Sequence, residues 1–215
     1  MSQRLQAIHA EVVHRRRVRR LAALTAVLLP PNAKVLDVGC GDGQLGALLL
    51  HLRPDLVLEG VDVMMRPQAP ISVSWFDGRK LPFESKSVDA ILLIDVLHHC
   101  DDAMALLADC ERVARESVII KDHLADGFLS VPMLRFMDWV GNASHGVALP
   151  YNYWTRQQWH DAFALFDWNI CNWKQDLAIY PLPADWIFGR NLHFLTQLSP
   201  VSATLRASQP GATQT

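Results

Sequence analysis

Between residues 32 and 122, short continuous apolar runs alternate with stretches whose apolar residues recur at helical spacing. Lys34-Val35-Leu36-Asp37-Val38 reads as a buried strand, and 57–61 as a second one ending at Asp62. Residues 71–75 form a third candidate, 88–94 a fourth and 117–120 a fifth. The run 88–94 is too continuously apolar for a sheet wetted on one face. Helices are predicted over 44–52, closed by Pro54, and over 102–115. Strands alternating with helices predict a parallel sheet covered on both sides. Ahead of it, 3–29 reads as a helix, with Leu5, Ile8, Val12, Leu21, Leu24 and Leu28 at roughly helical spacing, stopped by Pro30-Pro31.

After residue 122 the texture changes. Residues 123–165 hold apolar helical pieces with Phe128, Phe136, Trp139, Tyr151, Tyr153, Trp154 and Trp159, and are expected to cap an acceptor pocket. Runs near 168–177 and 189–198 are the candidate closing strands, within a segment 166–198. The stretch 201–215, rich in Ser, Ala, Thr and Gln, reads as a disordered tail. The expectation is one domain over 1–200: an N-terminal helix (1–31), a core (32–122), the cap and the closing strands.

Composition narrows the class. Half the residues are apolar, a fifth are charged and the net charge is −2, so no general electrostatic case for a nucleic-acid partner arises. The run Arg15-Arg16-Arg17-Val18-Arg19-Arg20 reads as a solvated helix face, with a membrane-surface or RNA contact as the alternative. Cys40, Cys100, Cys110 and Cys171 lack CxxC spacing and read as reduced thiols. No apolar run reaches the roughly 18 residues that span a bilayer, and the first residues do not pattern as a signal peptide, so the cytoplasm is the expected location. A homo-oligomer is compatible with this composition and not specified by it.

The chemistry concentrates where the first strand ends. In Asp37-Val38-Gly39-Cys40-Gly41-Asp42-Gly43 the chain must turn sharply from strand to helix while a ligand touches its backbone, and side chains would block both. The helix starting near Gln44 turns its free N–H groups toward that loop, favouring a carboxylate there. Asp62, 19 residues beyond Gly43, can accept both hydroxyls of a ribose. The glycines alone also satisfy the dinucleotide pattern GxGxxG (41–46), so a nicotinamide-binding oxidoreductase is an alternative. Asp37 argues against it: a carboxylate two residues before the first glycine suits an ammonium and does nothing for a pyrophosphate.

Taken together, VLDVGCGDG (35–43), EGVDV (59–63) and WFDGRKLPFESKSVDAILLIDVLHHCDD (75–102) resemble the class I S-adenosylmethionine-dependent methyltransferases, in particular the small-molecule ubiquinone/menaquinone type. The likeness covers about residues 32–122, over 40% of the chain. It implies a Rossmann-like α/β fold: a seven-stranded, mostly parallel sheet with helices on both faces and a helical insertion after the fifth strand. It also implies S-adenosylmethionine as cofactor, with S-adenosylhomocysteine as product. Gly39, Gly41 and Gly43 would line the methionine and ribose, and Asp37 the amino group. Asp62 would take the ribose hydroxyls, with Val63 beside the adenine. Asp77 and Gly78 would meet the adenine amino group, and Ile94 and Asp95 the methionine. Two departures stand out: only nine residues (62–70) separate the second and third strands, barely room for a helix, so the usual crossover helix is expected to be missing or reduced to a turn, and Ala114-Arg115-Glu116-Ser117 replaces a Pro-Gly-Gly turn.

The expected reaction is methyl transfer to a small, largely apolar acceptor, by O- or C-methylation. A protein or RNA acceptor and a non-catalytic relative of the fold are the other readings. Candidate bases sit at strand ends: His99 first, then His98 and His123. Lys121, His145, Tyr151 and Trp154 are candidate acceptor contacts. Lys121-Asp122-His123 supplies one acid and one imidazole, short of a magnesium shell, so no metal is expected.

Overall fold

The computed structural model describes residues 3–142, 150–189 and 191–200, with side chains from residue 13 onward outside 141–149. Among the described residues, seven strands form one sheet: β1 (Lys34–Val38), β2 (Val57–Asp62), β3 (Val73–Trp75), β4 (Val88–Ile94), β5 (Ala114–His123), β6 (Trp168–Lys174) and β7 (His193–Pro200). Their order is β3-β2-β1-β4-β5-β7-β6, parallel except for β7, which runs antiparallel to both β5 and β6. The helices are α1 (Gln3–Ala26), α2 (Gln44–Leu52), α3 (Ala103–Val113), α4 (Ser130–Asn142) and α5 (Arg156–Leu165).

Alternation along the inner strands sends neighbouring side chains to opposite faces. Leu36, Ile91 and Ile120 pack with α3 and α5 through Leu106, Cys110, Trp159 and Phe163. Val35, Leu92 and Ile119 pack on the other face with α1 and α2 through Leu21, Ala22 and Leu49. Both faces of β4 are therefore dry, as its unbroken apolar run demands. The strand order reverses between β1 and β4, and the open crevice of an α/β sheet lies at the carboxyl ends of such strands.

Several boundaries shift from expectation. The third strand shrinks to Val73–Trp75 at the sheet edge, and the chain from Val63 to Pro70 crosses to it by turns without a helix. α3 stops at Val113 instead of 115, and β5 runs from Ala114 to His123, well beyond the expected 117–120. The longer strand exists because β7 pairs with β5 as far as His123, supplying hydrogen-bond partners that the local sequence does not reveal.

The 123–165 segment contributes α4 and α5, but its aromatics do not share one pocket. Phe128, Phe136 and Trp139 are exposed, whereas Trp159 is buried, with Trp154 against it at 4.6 Å between ring centroids. The tail 201–215 lies outside the described residues. No helix among the described residues is long and apolar enough to cross a membrane.

Candidate active site

The turn after β1 is tied down by its neighbour strand. The N–H groups of Gly39 and Cys40 donate to the Val61 carbonyl at 2.8 and 3.2 Å. One step on, the Gly41 N–H donates to Asp62 Oδ2 at 2.7 Å, and the Met64 N–H donates to Oδ1 at 2.8 Å. The Asp62 carboxylate is thus held by two backbone donors at the mouth of the crevice. A carboxylate has about four acceptor positions, so it can still take ligand hydroxyls.

Two glycines play distinct parts. Gly39 has φ +68°, and a methyl group there would lie 2.6 Å from a Val96 methyl. Gly41 has φ +60°, and a methyl group there would meet nothing within 4 Å. The space over Gly41 is a cradle that a side chain would fill. Gly43 begins α2 and packs against Ile71; it does not border the crevice.

A cleft of about 340 Å³ opens at these strand ends. Its walls include Gly39, Gly41, Asp62, Val63, Asp77 and Gly78 on one side and Asp95, Val96 and His99 on the other. Asp77 is exposed, and its Oδ1 accepts from the Arg79 and Lys80 N–H groups at 2.8 Å each, a turn that also lowers its carboxyl below the usual range. Asp37 and Ile94 are not in the wall. Asp37 lies beneath it, 1% exposed, with Oδ2 lacking any hydrogen-bond partner. Burial first, then the Asp62 charge, pushes its carboxyl up to about 7. A buried carboxylate oxygen without a donor suits a cation. The open cradle, the anchored carboxylate and this orphaned oxygen together fit an adenosine carrying an amino-acid tail.

Asp95 takes a part that the sequence did not suggest. Its backbone N–H donates to the Lys121 carbonyl at 2.8 Å. Its carboxylate forms ion pairs with both Arg17 of α1 and Lys121 of β5. Burial opposes its charge, but the Arg17 and Lys121 cations outweigh this and hold its carboxyl well below the usual range. The arginine run is accordingly split: Arg15, Arg16, Arg19 and Arg20 are exposed, while Arg17 turns inward. Lys121 is fully buried on Asp95, with His193 Nδ1 at 3.3 Å, and does not reach the cleft wall.

The three candidate histidines separate by burial. His99 borders the cleft; burial and then the neighbouring His98 charge lower its imidazole below the usual range. His98 and His123 are 2% and 4% exposed, behind the wall. Asp122 Oδ1 lies 2.6 Å from His98 Nδ1 and 3.2 Å from His123 Nδ1. For His98, burial works against the charge, yet Asp122 prevails and the imidazole is raised. For His123, burial and His98 push it down to about 4. Asp138 of α4, absent from the sequence reading, lies beside both rings and accepts a hydrogen bond from the Tyr153 hydroxyl. Tyr151 stacks with Arg135, whose guanidinium is 4.9 Å from the ring centroid; Tyr151 and Trp154 both lie away from the cleft wall. His145 lies outside the described residues.

Comparison with known proteins agrees with this geometry. Residues 36–120 match the family model described as a methyltransferase domain. A demethylmenaquinone methyltransferase of Roseiflexus castenholzii is 33% identical over 129 residues, 55% of this chain and 53% of that protein. A ubiquinone biosynthesis O-methyltransferase of Hahella chejuensis is 29% identical over 100 residues, 40% of each chain. The chain thus spans about half or less of the length of these curated relatives. Among solved structures, the PH0226 protein of Pyrococcus horikoshii superposes with a TM-score of 0.65 at 19% identity, covering 87% of this chain and 91% of that one. A 1,6-didemethyltoxoflavin-N1-methyltransferase of Burkholderia thailandensis, solved with S-adenosylhomocysteine, gives 0.62 at 17% identity, covering 86% and 79%. Strand order, strand-end chemistry and the family match agree: residues 36–120 match a methyltransferase domain, and the chain resembles the class I, S-adenosylmethionine-dependent methyltransferases.

Proposed function

We propose that this protein transfers a methyl group from S-adenosylmethionine to a small, largely apolar acceptor, at oxygen or carbon. The observation that carries the reading is the Gly41–Asp62 hydrogen bond beside an open cradle, with the unpartnered Asp37 oxygen below it.

In this reading Asp62 accepts the ribose hydroxyls, while Gly39 and Gly41 let the ligand lie against the backbone. Val63, Asp77 and Gly78 border the adenine end. Asp37 faces the ammonium of the methionine moiety. Bound S-adenosylmethionine supplies an electrophilic methyl group on a sulfonium. What remains for the chain is to align the acceptor and exclude water. Asp95, held by Arg17 and Lys121, fixes the end of β4 so that Val96 and His99 keep their places on the acceptor side. His99 is the histidine of the three that borders the cleft, and its neutral imidazole offers a lone pair there.

The apolar acceptor is supported by the names of the two curated relatives, which point to quinone biosynthesis. The test has two arms. Calorimetry with S-adenosylhomocysteine and NADH should give binding for the first and none for the second; the reverse pattern would overturn the assignment. Incubation with S-adenosylmethionine and hydroxylated quinols should yield a product heavier by one methylene, read by mass spectrometry.

A further inference from the structure

Behind the cleft wall, two imidazoles are held between two carboxylates. His98 and His123 lie edge to face with centroids 4.3 Å apart. At their Nδ1 ends, Asp122 Oδ1 is within 2.6 and 3.2 Å, a hydrogen-bonding arrangement. The Leu97 and His123 backbone N–H groups fix that carboxylate further, at 3.1 and 2.7 Å. At their Nε2 ends the spacing is wider: Asp138 Oδ2 lies 3.6 Å from His98, and Asp138 Oδ1 lies 4.0 Å from His123.

A neutral His98 that donates from Nδ1 to Asp122 turns its Nε2 lone pair toward the Asp138 carboxylate. A divalent ion between the two takes that lone pair and offsets the Asp138 charge, displacing the proton that His98 otherwise holds. Asp122 keeps the His98 Nδ1–H, the usual support for a metal-binding histidine. Tetrahedral zinc with bonds of about 2.0–2.2 Å sets neighbouring ligand atoms roughly 3.3–3.5 Å apart, close to the gap seen here. His99 completes the set: one ring nitrogen each from His98 and His99 and one Asp138 oxygen lie within 4.8 Å of one another.

We propose that His98, His99 and Asp138 form a binding site for a divalent transition-metal ion of the zinc class, with Asp122 orienting the His98 imidazole. Three protein ligands leave a fourth position for water or an acceptor oxygen, the pattern of catalytic zinc sites. His99 borders the cleft, so the ion sits at the acceptor end of the pocket. The proposal stands on the cluster's geometry and does not depend on the methyl-transfer reading.

Cobalt(II), which mimics zinc and absorbs visible light, is the probe. The full, untagged chain should bind one equivalent and develop ligand-field bands. Those bands should disappear in Asp138→Asn and His99→Gln and persist in Cys171→Ser. In the cobalt-loaded wild-type protein, proton NMR should show hyperfine-shifted, exchangeable imidazole N–H signals, independently of how any variant folds. Absence of stoichiometric cobalt binding, bands unchanged in Asp138→Asn, a sulfur-to-metal charge-transfer band, or no shifted imidazole N–H signal would each overturn the site. Separate titration with S-adenosylhomocysteine keeps this outcome distinct from that of the cofactor assignment.

Discussion

Arg17 on the first helix forms an ion pair with Asp95, 78 residues later at the end of the fourth strand. The pair joins the N-terminal helix to the wall of the cleft. Arg17→Leu leaves Asp95 with Lys121 as its remaining cation. We expect a loss of about 1–3 kcal/mol in chemical denaturation, since a half-buried carboxylate loses one of two charged partners. Arg16→Leu, on the exposed side of the same helix, should change stability by less than about 0.5 kcal/mol.

Asp62 is the residue on which cofactor affinity should depend most. Asp62→Ala removes the acceptor for Gly41 and Met64 along with that for the ribose. A charge-assisted hydrogen bond contributes about 1.5–3 kcal/mol, so S-adenosylhomocysteine affinity should fall by roughly 10- to 150-fold for each ribose bond lost. Isothermal calorimetry reads this directly, and unchanged affinity would remove Asp62 from the site.

The two glycines should fail in different ways. Gly39→Ala places a methyl group 2.6 Å from Val96 and should destabilise the fold itself. Gly41→Ala meets open space, so beyond the roughly 1–2 kcal/mol of left-handed backbone strain it should fold and lose cofactor binding. Melting temperature and ligand titration, measured side by side, separate the two outcomes.

Asp37 should couple cofactor binding to pH. Its folded carboxyl lies at about 7, above the ordinary 3.8. A raised acid favours the folded state at low pH, and that contribution is lost as pH climbs from about 4 through 7. Without ligand, stability should therefore decline across this window, and Asp37→Asn should flatten the decline. An ammonium set against Asp37 favours its ionised form, so binding near pH 6.5 should release a proton. Calorimetry in buffers of different ionisation enthalpy measures that proton, and Asp37→Asn should abolish it.

His98 and His99 are adjacent but should respond oppositely to substitution. His98→Ala takes the 2.6 Å imidazole partner from the buried Asp122 carboxylate, leaving it backbone donors and His123, and should cost about 3 kcal/mol of stability. His99→Ala, at the cleft wall, should leave the melting temperature nearly unchanged and lower turnover. If His99→Ala turns over like the wild type, the imidazole has no part in handling the acceptor.

Much of the fold was legible in the chain because its signals are local. Apolar runs placed β1, β2 and β4, and the spacing between Gly43 and Asp62 put a carboxylate opposite the turn after β1, where it accepts from Gly41. The nine residues 62–70 pointed to a missing or reduced crossover helix, and the chain crosses there by turns. The extent of β5 was not legible, since its last residues are strand only because β7 returns to pair with them. Aromatic content after residue 123 suggested a lined pocket, yet α4 turns Phe136 and Trp139 outward and Asp138 inward.

What the sequence determined by itself is the alternation of strands and helices and the chemistry of the loop between Asp37 and Gly43. Both follow from periodicity and from residues that are neighbours in the chain. Only the tertiary structure decided that Arg17 and Lys121 meet at Asp95, and that buried His98, Asp122, His123 and Asp138 share one cluster with His99 at the cleft wall. Those residues come from α1, the ends of β4 and β5, and α4. Low-dielectric burial makes each charge there depend on partners dozens of residues away, and no local pattern records that.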